Sequence, residues 1–507
     1  MGICVILDIT FFEMNIALDG GKAMALIYEE LEPSLLWKHF EQILKIPHCS
    51  GSETALGDYV IAQAEKSSLE WKRDDVGNVV VSKKASSGKE NAPGVILQGH
   101  IDMVCEKNSD VEHDFSKDPI QTEKKGEWIS AKGTTLGSDN GIGVSASLAL
   151  MEDDSLVHGP LEFLFTVDEE TGLTGATKIS PDFLQGKLLL NLDSEDEGSF
   201  TIGCAGGADS EILLPLKRKD GSEGESYRLK LFGFRGGHSG IDIDQGRGNA
   251  LKLLTRMLWQ ANKKASFALA SIEGGNKRNA IPREAWADIY IDPAQLESLQ
   301  SSFQTSFDNI YNEFKAVEKE AKFLFEKSQE NTKAPLDEDS QKMLLDFLLT
   351  LPHGVISMHP EIEGLVETST NMAIVHTHDD HAQVISSSRS SVASGLEATR
   401  DTIAALCEIA GADIAQPEGY PGWMPDLQSE LLKICKDVYS RQFQKEPEVG
   451  AVHAGLECGI IGEKFPGMDM ISFGPTIEHP HSPEERVHVG SVKKFWDFLA
   501  SVLAELA

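Results

Sequence analysis

Apolar and polar positions change period along this chain, and the change marks its organisation. From about Pro33 to Cys204, helical spacing alternates with short continuous apolar runs. Leu35-Leu-Trp-Lys-His-Phe-Glu-Gln-Ile-Leu44 carries helical spacing, and Ser52 opens a second helix through Ala64 as its capping residue. Strands are predicted near 77–82, 95–99, 161–167 and 188–192, with a small-residue helix over Gly141–Met151. After Gly206-Gly207 the texture changes. Tyr227-Arg-Leu-Lys-Leu-Phe-Gly-Phe234 alternates with period two, as a half-exposed antiparallel strand does. A helix is predicted at 248–263, strands near 266–272 and 284–292, and a long charged amphipathic helix over 294–329. The same texture recurs from about 342: a helix, strands near 371–376 and 382–388, and a helix at 394–410.

These patterns predict an α/β region in two segments, 33–206 and 422–507, interrupted by an α+β insertion of two small units in tandem, 207–421. The Pro/Gly-rich Gln416-Pro-Glu-Gly-Tyr-Pro-Gly-Trp-Met-Pro425 reads as the crossing back, followed by a helix at 427–440 and a strand over Met468–Phe473. Residues 1–32 read as a poorly ordered N-terminal extension with Met24 as an alternative start. The first 20 residues are apolar, but no basic residue precedes them and Asp8 and Glu13 interrupt, so they do not make a signal peptide.

Composition narrows the function. A chain of 507 residues with 41% hydrophobic residues builds a large core and is expected to hold two domains. With 46 basic against 80 acidic residues, the net charge of −34 repels phosphate backbones and argues against nucleic-acid binding. No window has the ~18 uncharged apolar residues of a membrane span. Seven cysteines, an odd number without a CxxC pair, are expected to be reduced thiols of a cytoplasmic protein.

Candidate chemistry lies where strands end. Val95-Ile-Leu-Gln-Gly-His-Ile-Asp102 closes on His100 and Asp102, Leu161–Glu170 closes on three carboxylates, and Leu188–Asp193 closes on Asp193. In open α/β sheets, side chains just past the carboxyl ends of parallel strands converge at a ligand site. His100, Asp139, Glu170, Asp193 and His481 form a mixed N/O set suited to two Zn²⁺-like ions. Asp102 fits the partner that fixes the tautomer of a metal-bound imidazole. Glu169 and Glu170 can divide labour, Glu170 as ligand and Glu169 as general base toward the attacking water. Gly133–Gly143 is glycine-rich but lacks a phosphate-loop lysine. His376-Thr-His-Asp-Asp-His381 is the densest histidine cluster, yet it falls between two predicted strands, where a solvated turn is the expected content.

Eight runs then occur in order: Gly99–Val104, Gly133–Gly143, Asp168–Glu170, Asn191–Glu195, Gly236-Gly-His-Ser-Gly240, Arg278-Asn-Ala-Ile-Pro-Arg-Glu284, His453-Ala-Gly-Leu-Glu-Cys-Gly459 and Gly474–Pro483. Together they resemble the aminoacyl-histidine dipeptidases (Xaa-His dipeptidase, PepD type) of the M20 metallopeptidases over about residues 33–507. The resemblance implies a mixed-sheet catalytic domain interrupted by a lid of two ferredoxin-like units. It implies one metal on His100, Asp139 and Asp193 and a second on Asp139, Glu170 and His481, with Asp139 bridging. Zn²⁺ is the first expectation, with Mn²⁺ and Co²⁺ also suited. Asp102 and Glu169 match the catalytic pair, and His238, Asn279, Arg389 and Gly455 match positions near substrate. The peptide after the bridging Asp is cis in such enzymes. Gly99 stands where relatives often have Ala, and Asp168 where they usually have Thr, an extra charge beside the base.

The function expected on these grounds is dinuclear hydrolysis of short peptides, Xaa-His dipeptides such as β-alanyl-histidine first. His238 would come from the lid as an oxyanion donor. Two alternatives are an N-acyl amino acid deacylase, which would reject a free substrate ammonium, and a catalytically silent metal-dependent binder, which would have no use for Asp102 and Glu169. Whether the chain forms a homodimer is left open.

Overall fold

The computed structural model describes residues 27–221, 224–328 and 333–507. Its chain divides into two compact units: Met1–Ile202 with Pro425–Ala451 and Ile460–Ala507, and Gly203–Met424 with Val452–Gly459.

The first unit is built on an eight-stranded sheet, in the order 70–73, 79–83, 161–166, 95–100, 188–191, 469–472, 199–204 and 448–452. The strand Val95–His100 runs parallel to both Leu161–Thr166 and Leu188–Asn191, and Asp469–Ser472 runs parallel to the latter. Every residue of Val95–His100 is buried, which is why this strand reads as an unbroken apolar run rather than an alternation. The helices Ser34–Ile43 and Thr54–Lys66 pack with Ser138–Glu152. Trp37, Phe40 and Ile43 are fully buried, each contributing roughly 1.5–3 kcal/mol of burial free energy. Tyr28 and Leu31 lie inside the stretch expected to be a loose extension, yet both are buried. Tyr28 stacks on Trp37 at 5.9 Å and donates its hydroxyl to Thr122 Oγ1 at 3.1 Å, so the packed chain begins before residue 33. The rest of that extension, including Met24, lies outside the described residues. A small four-stranded sheet, 477–478, 486–488, 128–131 and 122–125, completes this unit.

The second unit carries a nine-stranded antiparallel sheet, running 322–327, 225–232, 285–291, 268–274, 366–377, 381–390, 206–215 and 413–415, with 354–358 also on 366–377. The strands of its two halves join where Gly274 pairs with Val375. The helix expected over 294–329 is corrected here: it stops at Phe314, and Lys322–Lys327 is an edge strand paired with 225–232. Lys322-Phe-Leu-Phe-Glu-Lys327 alternates, and Phe323 and Phe325 pack on the core beside Tyr227 and Phe307. The neighbouring strand decides the outcome, because a short charged segment follows whichever partner offers hydrogen bonds and a place for its aromatic rings.

The cysteine expectation is corrected as well. Cys49 and Cys105 form a disulfide with Cα atoms 5.7 Å apart, while Cys204, Cys407, Cys435 and Cys458 are buried. A bridge between Cys49 and Met103 lays the two segments side by side, a proximity that no spacing in the sequence announces. Cys4 lies outside the described residues. No described helix is long and apolar enough to cross a membrane.

Candidate functional site

The parallel strands deliver their side chains to one end of the sheet. His100 is the last residue of its strand, Glu169 and Glu170 open a short helix after Leu161–Thr166, and Asp193 follows Leu188–Asn191 by two residues. Asp139 lies in the first turn of Ser138–Glu152, and His481 follows the short strand Ile477–Glu478. These five residues form two overlapping groups, His100–Asp139–Asp193 and Asp139–Glu170–His481, with the ligand atoms of each group within 4.8 Å of one another. His100 Nε2 lies 3.1 Å from Asp139 Oδ1 and 3.4 Å from Asp193 Oδ1. His481 Nε2 lies 3.1 Å from both Asp139 Oδ2 and Glu170 Oε2. Asp139 is thus the residue common to both groups.

The arrangement fits cations. Glu170 Oε1 and Asp193 Oδ1 are buried without a hydrogen-bond partner, a costly state for a carboxylate unless a positive charge completes it. Burial pushes Asp193 up to about 6, and burial followed by the charges of Asp139 and Asp193 pushes Glu195 up to about 8. Burial and mutual repulsion both disfavour the charged carboxylates here, and a bound cation would relieve both. Two imidazoles and three carboxylates are a suitable donor set for Zn²⁺, Mn²⁺ or Co²⁺.

Asp102 organises this cluster from beneath. Its side chain is fully buried, which makes it a positioning residue rather than one that meets substrate. Asp102 Oδ1 lies 3.3 Å from His100 Nδ1 and accepts the Glu169 N–H at 3.0 Å. Oδ2 accepts the Glu170 N–H at 3.1 Å and the Ser50 hydroxyl at 2.7 Å. Burial, the largest single influence, would raise its pKa, but the His100 hydrogen bond and charge, with the donors from Glu169 and Ser50, together outweigh it and hold the carboxyl at about 2. One carboxylate thereby orients a ligand imidazole and the turn carrying Glu169 and Glu170.

Asp168, the residue that departs from the family pattern, has φ 51° and accepts hydrogen bonds from the hydroxyls of Thr171 and Thr174, while its N–H donates to Glu53 Oε1 at 3.1 Å. The extra charge is thus engaged within its own turn. Gly99 is required by a close approach: a Cβ there would meet Asn140 Oδ1 at 2.2 Å. The Asp139–Asn140 peptide is cis.

His238, Arg389 and Gly455 gather in the second unit, and Asn279 lies next to them. Arg389 Nη2 lies 3.4 Å from His238 Nε2, and Nη1 donates to the Tyr420 hydroxyl at 2.7 Å. A Cβ at Gly455 would meet the Tyr420 ring at 2.7 Å, so only glycine fits. The Ser239 N–H donates to the Asn279 carbonyl at 2.8 Å. His238 Nδ1 accepts the N–H groups of Gly240 and Ile241 at 3.3 and 3.1 Å. The two backbone donors on Nδ1 favour the tautomer with the proton on Nε2, and in that tautomer the 3.4 Å approach of the Arg389 Nη2 donor is not a hydrogen bond. Burial, then Arg389, lowers its pKa to about 4, so it is neutral at neutral pH. Sequence reasoning did not single out Tyr420, Ser50, Glu53 or Ser369, whose hydroxyl lies 2.7 Å from His453 Nε2. Nor did it single out Glu195 or Glu485. Glu195 had one usable signal, its place two residues past Asp193; the others had none.

His376–His381 assembles nothing of this kind. His376 Nδ1 pairs with Glu273 Oε2 and His381 Nδ1 with Asp380 Oδ1, both at 2.7 Å, and no residue of the cluster joins a metal-ligand group among the described residues.

Known proteins agree with this architecture. The chain is 42% identical to the cytosol non-specific dipeptidase of Escherichia coli K12 over 94% of its own length and 98% of that protein. The crystal structure of an aminoacylhistidine dipeptidase from Vibrio alginolyticus superposes with a TM-score of 0.87 at 40% identity, covering 94% of this chain and 97% of that one. Aminopeptidase PepT from Bacillus cereus, 14% identical with a TM-score of 0.56 over 94% and 99% of the two chains, shares the fold. The model of peptidase family M20/M25/M40 matches residues 96–505, and the chain belongs to that family.

Proposed function

We propose that this protein is a metal-dependent dipeptidase that hydrolyses short peptides with a free amino terminus, Xaa-His dipeptides first among them. The observation that carries the reading is the double ligand group sharing Asp139 at the carboxyl ends of parallel strands, in a chain 42% identical to a dipeptidase. His100, Asp139 and Asp193 would hold one divalent ion and Asp139, Glu170 and His481 the other, Zn²⁺ first. Such ions supply polarisation of the peptide carbonyl and acidification of water.

The chain's own residues do the rest. Glu169, oriented through its N–H by Asp102, takes a proton from the attacking water and passes it to the leaving amine nitrogen. His238 offers its Nε2–H to the carbonyl oxygen as negative charge develops there, an effect typically worth ~3 kcal/mol. Arg389 is buried and, among the described residues, has no acidic partner, so its guanidinium suits the terminal carboxylate of the substrate. Asn279 and Gly455 border the same residues and complete the proposed substrate-binding set. The Vibrio relative is an aminoacylhistidine dipeptidase, which favours histidine at the second substrate position, whereas the Escherichia coli relative is named non-specific, so the preference is one of degree. The latter's name also supports a cytoplasmic location.

The test is turnover by purified protein, supplied with Zn²⁺ or Mn²⁺, of a panel of Xaa-His dipeptides, other dipeptides and N-acetyl amino acids. Free histidine from the dipeptides, abolished by a chelator, is expected. Hydrolysis of the N-acetyl amino acids alone would assign a deacylase. No turnover of any substrate with both metals bound would assign a binder.

A further inference from the structure

We propose that Glu485 is a positioning residue of the metal centre, fastening the turn that carries Asp139 to the segment that carries His481. The proposal rests on the reading of Asp139 and His481 as ligands.

Glu485 is 2% exposed, and among the described residues no cation pairs with it. Its carboxylate is instead wrapped by one turn of backbone. Oε2 accepts the N–H groups of Leu136 at 2.7 Å and Gly137 at 3.0 Å. Oε1 accepts the Ser138 N–H at 2.7 Å, the Ser138 hydroxyl at 2.6 Å and, more loosely, the Asp139 N–H at 3.4 Å. Five donors from four consecutive residues meet one carboxylate. Burying a carboxylate is expensive unless hydrogen bonds surround it, and here they do.

The need for a remote carboxylate follows from the local backbone. The turn leads into the helix Ser138–Glu152, but Asp139 and Asn140 are non-helical, so the N–H groups of Leu136 to Asp139 lie ahead of its regular turns and need acceptors of their own. Gly137, at φ 74°, offers no side chain to them. A Cβ there would lie 3.0 Å from Met103 Sδ, so a Ser or Asp at this position would be strained by the backbone and crowded by that side chain. Glu485 supplies the acceptor from the far end of the chain.

That choice of partner couples two ligands. Glu485 lies four residues past His481, and its own N–H donates to the Ser482 carbonyl at 3.0 Å, closing the turn between them. Directly after it, Arg486–His488 pairs with Trp128–Ala131, so the segment is also pinned to the strand that leads toward Leu136. The 3.1 Å approach of His481 Nε2 to Asp139 Oδ2 is therefore held by a short closed circuit of hydrogen bonds. Residues that orient ligands in this way typically alter metal affinity 10- to 100-fold when removed.

The test compares wild type with Glu485→Gln, which keeps the shape but turns an amide NH₂ toward N–H donors. Metal affinity is read by competition with a chromophoric chelator, stoichiometry by elemental analysis, and stability by thermal unfolding of the metal-free protein. The expected result is affinity weakened about 10- to 100-fold for the ion on Asp139, Glu170 and His481. At a free metal concentration that gives wild type two equivalents, the variant then holds about one. An acceptor with a purely structural role would lower the unfolding temperature and leave both affinities of the folded variant at wild-type values, and that outcome overturns the proposal. Should Glu485→Gln fail to fold, Ser138→Ala removes only the 2.6 Å hydroxyl donor; about 2- to 5-fold weaker binding is expected, and unchanged affinity overturns the proposal equally. A wild-type protein that binds no metal would remove the metal centre itself, a failure visible before any variant is made.

Discussion

His100, Asp139, Glu170, Asp193 and His481 are scattered over most of the chain, yet their ligand atoms fall into two groups sharing Asp139. His376, His378 and His381 sit within six residues, yet His376 Nδ1 pairs with Glu273 and His381 Nδ1 with Asp380, while the rings of His378 and His381 stack at 4.5 Å. The difference lies in the strands. Parallel strands bring the ends of distant segments to one edge, where side chains can converge on a point. An antiparallel hairpin such as 366–377 with 381–390 spreads neighbouring residues over two faces and a solvated turn. Density in sequence is therefore a poor guide to a metal site, and position relative to strand ends is a good one.

The most severe way to break this comparison is Asp139→Ala. Sharing by two groups predicts metal content falling from two equivalents to less than one, with turnover down about 10⁴-fold or more, since several kcal/mol of charge stabilisation go with the ions. Elemental analysis beside a dipeptide assay checks it, and two tightly held ions would end the bridging assignment. Glu169→Gln should leave both ions in place while lowering kcat by about 10²–10⁴-fold; Glu170→Gln should instead lower metal occupancy, and the reverse pattern would exchange their roles. For His238→Ala, kcat should drop about 10²–10³-fold with full metal content. Its neutral ring should add no ionisation to the kcat–pH profile above about pH 5.

A histidine of a third kind sharpens the contrast. His453 is buried in the second unit, and burial, then Arg389, depresses its pKa to about 4 against about 6.5 in an unfolded chain. The fold holds the neutral ring, so below pH 6.5 the unfolded chain takes up a proton that the fold refuses until about pH 4. Its contribution is complete above pH 6.5 and is lost as pH falls toward 4, roughly 3 kcal/mol at most. Urea unfolding at pH 7.5 and 4.5 should show a smaller acid loss in His453→Gln than in wild type; equal losses would refute the assignment. The smallest effect is expected at the hairpin. His378→Ala and His381→Ala should leave metal content unchanged and shift stability by no more than about 0.5 kcal/mol, and a lost metal equivalent would mean that the dense cluster does bind.

Much of this was legible in the chain. Val95–His100, Leu161–Thr166 and Leu188–Asn191 are buried on both faces, and that burial appears in the sequence as unbroken apolar runs closed by ligands. The helix predicted over 294–329 failed beyond Phe314 because Lys322-Phe-Leu-Phe-Glu-Lys327 is short and half charged, and its pairing with 225–232 outweighs its own preference. The Cys49–Cys105 disulfide escaped notice because proximity, not spacing, joins two cysteines.

The sequence by itself determined which chemistry is present: two histidines and three carboxylates, most of them at strand ends, a second glutamate beside one of them, and His238 among glycines. Those features are local, set by side-chain type and by periods of two or 3.6 residues that each segment carries alone. Only the tertiary structure decided which groups hold the chemistry in place. Asp102 grips both His100 and the Glu169–Glu170 turn, Tyr420 meets Arg389, and Glu485 accepts the N–H groups of the turn that leads to Asp139. Such supports depend on distances between segments remote in the chain, and no local pattern encodes those distances.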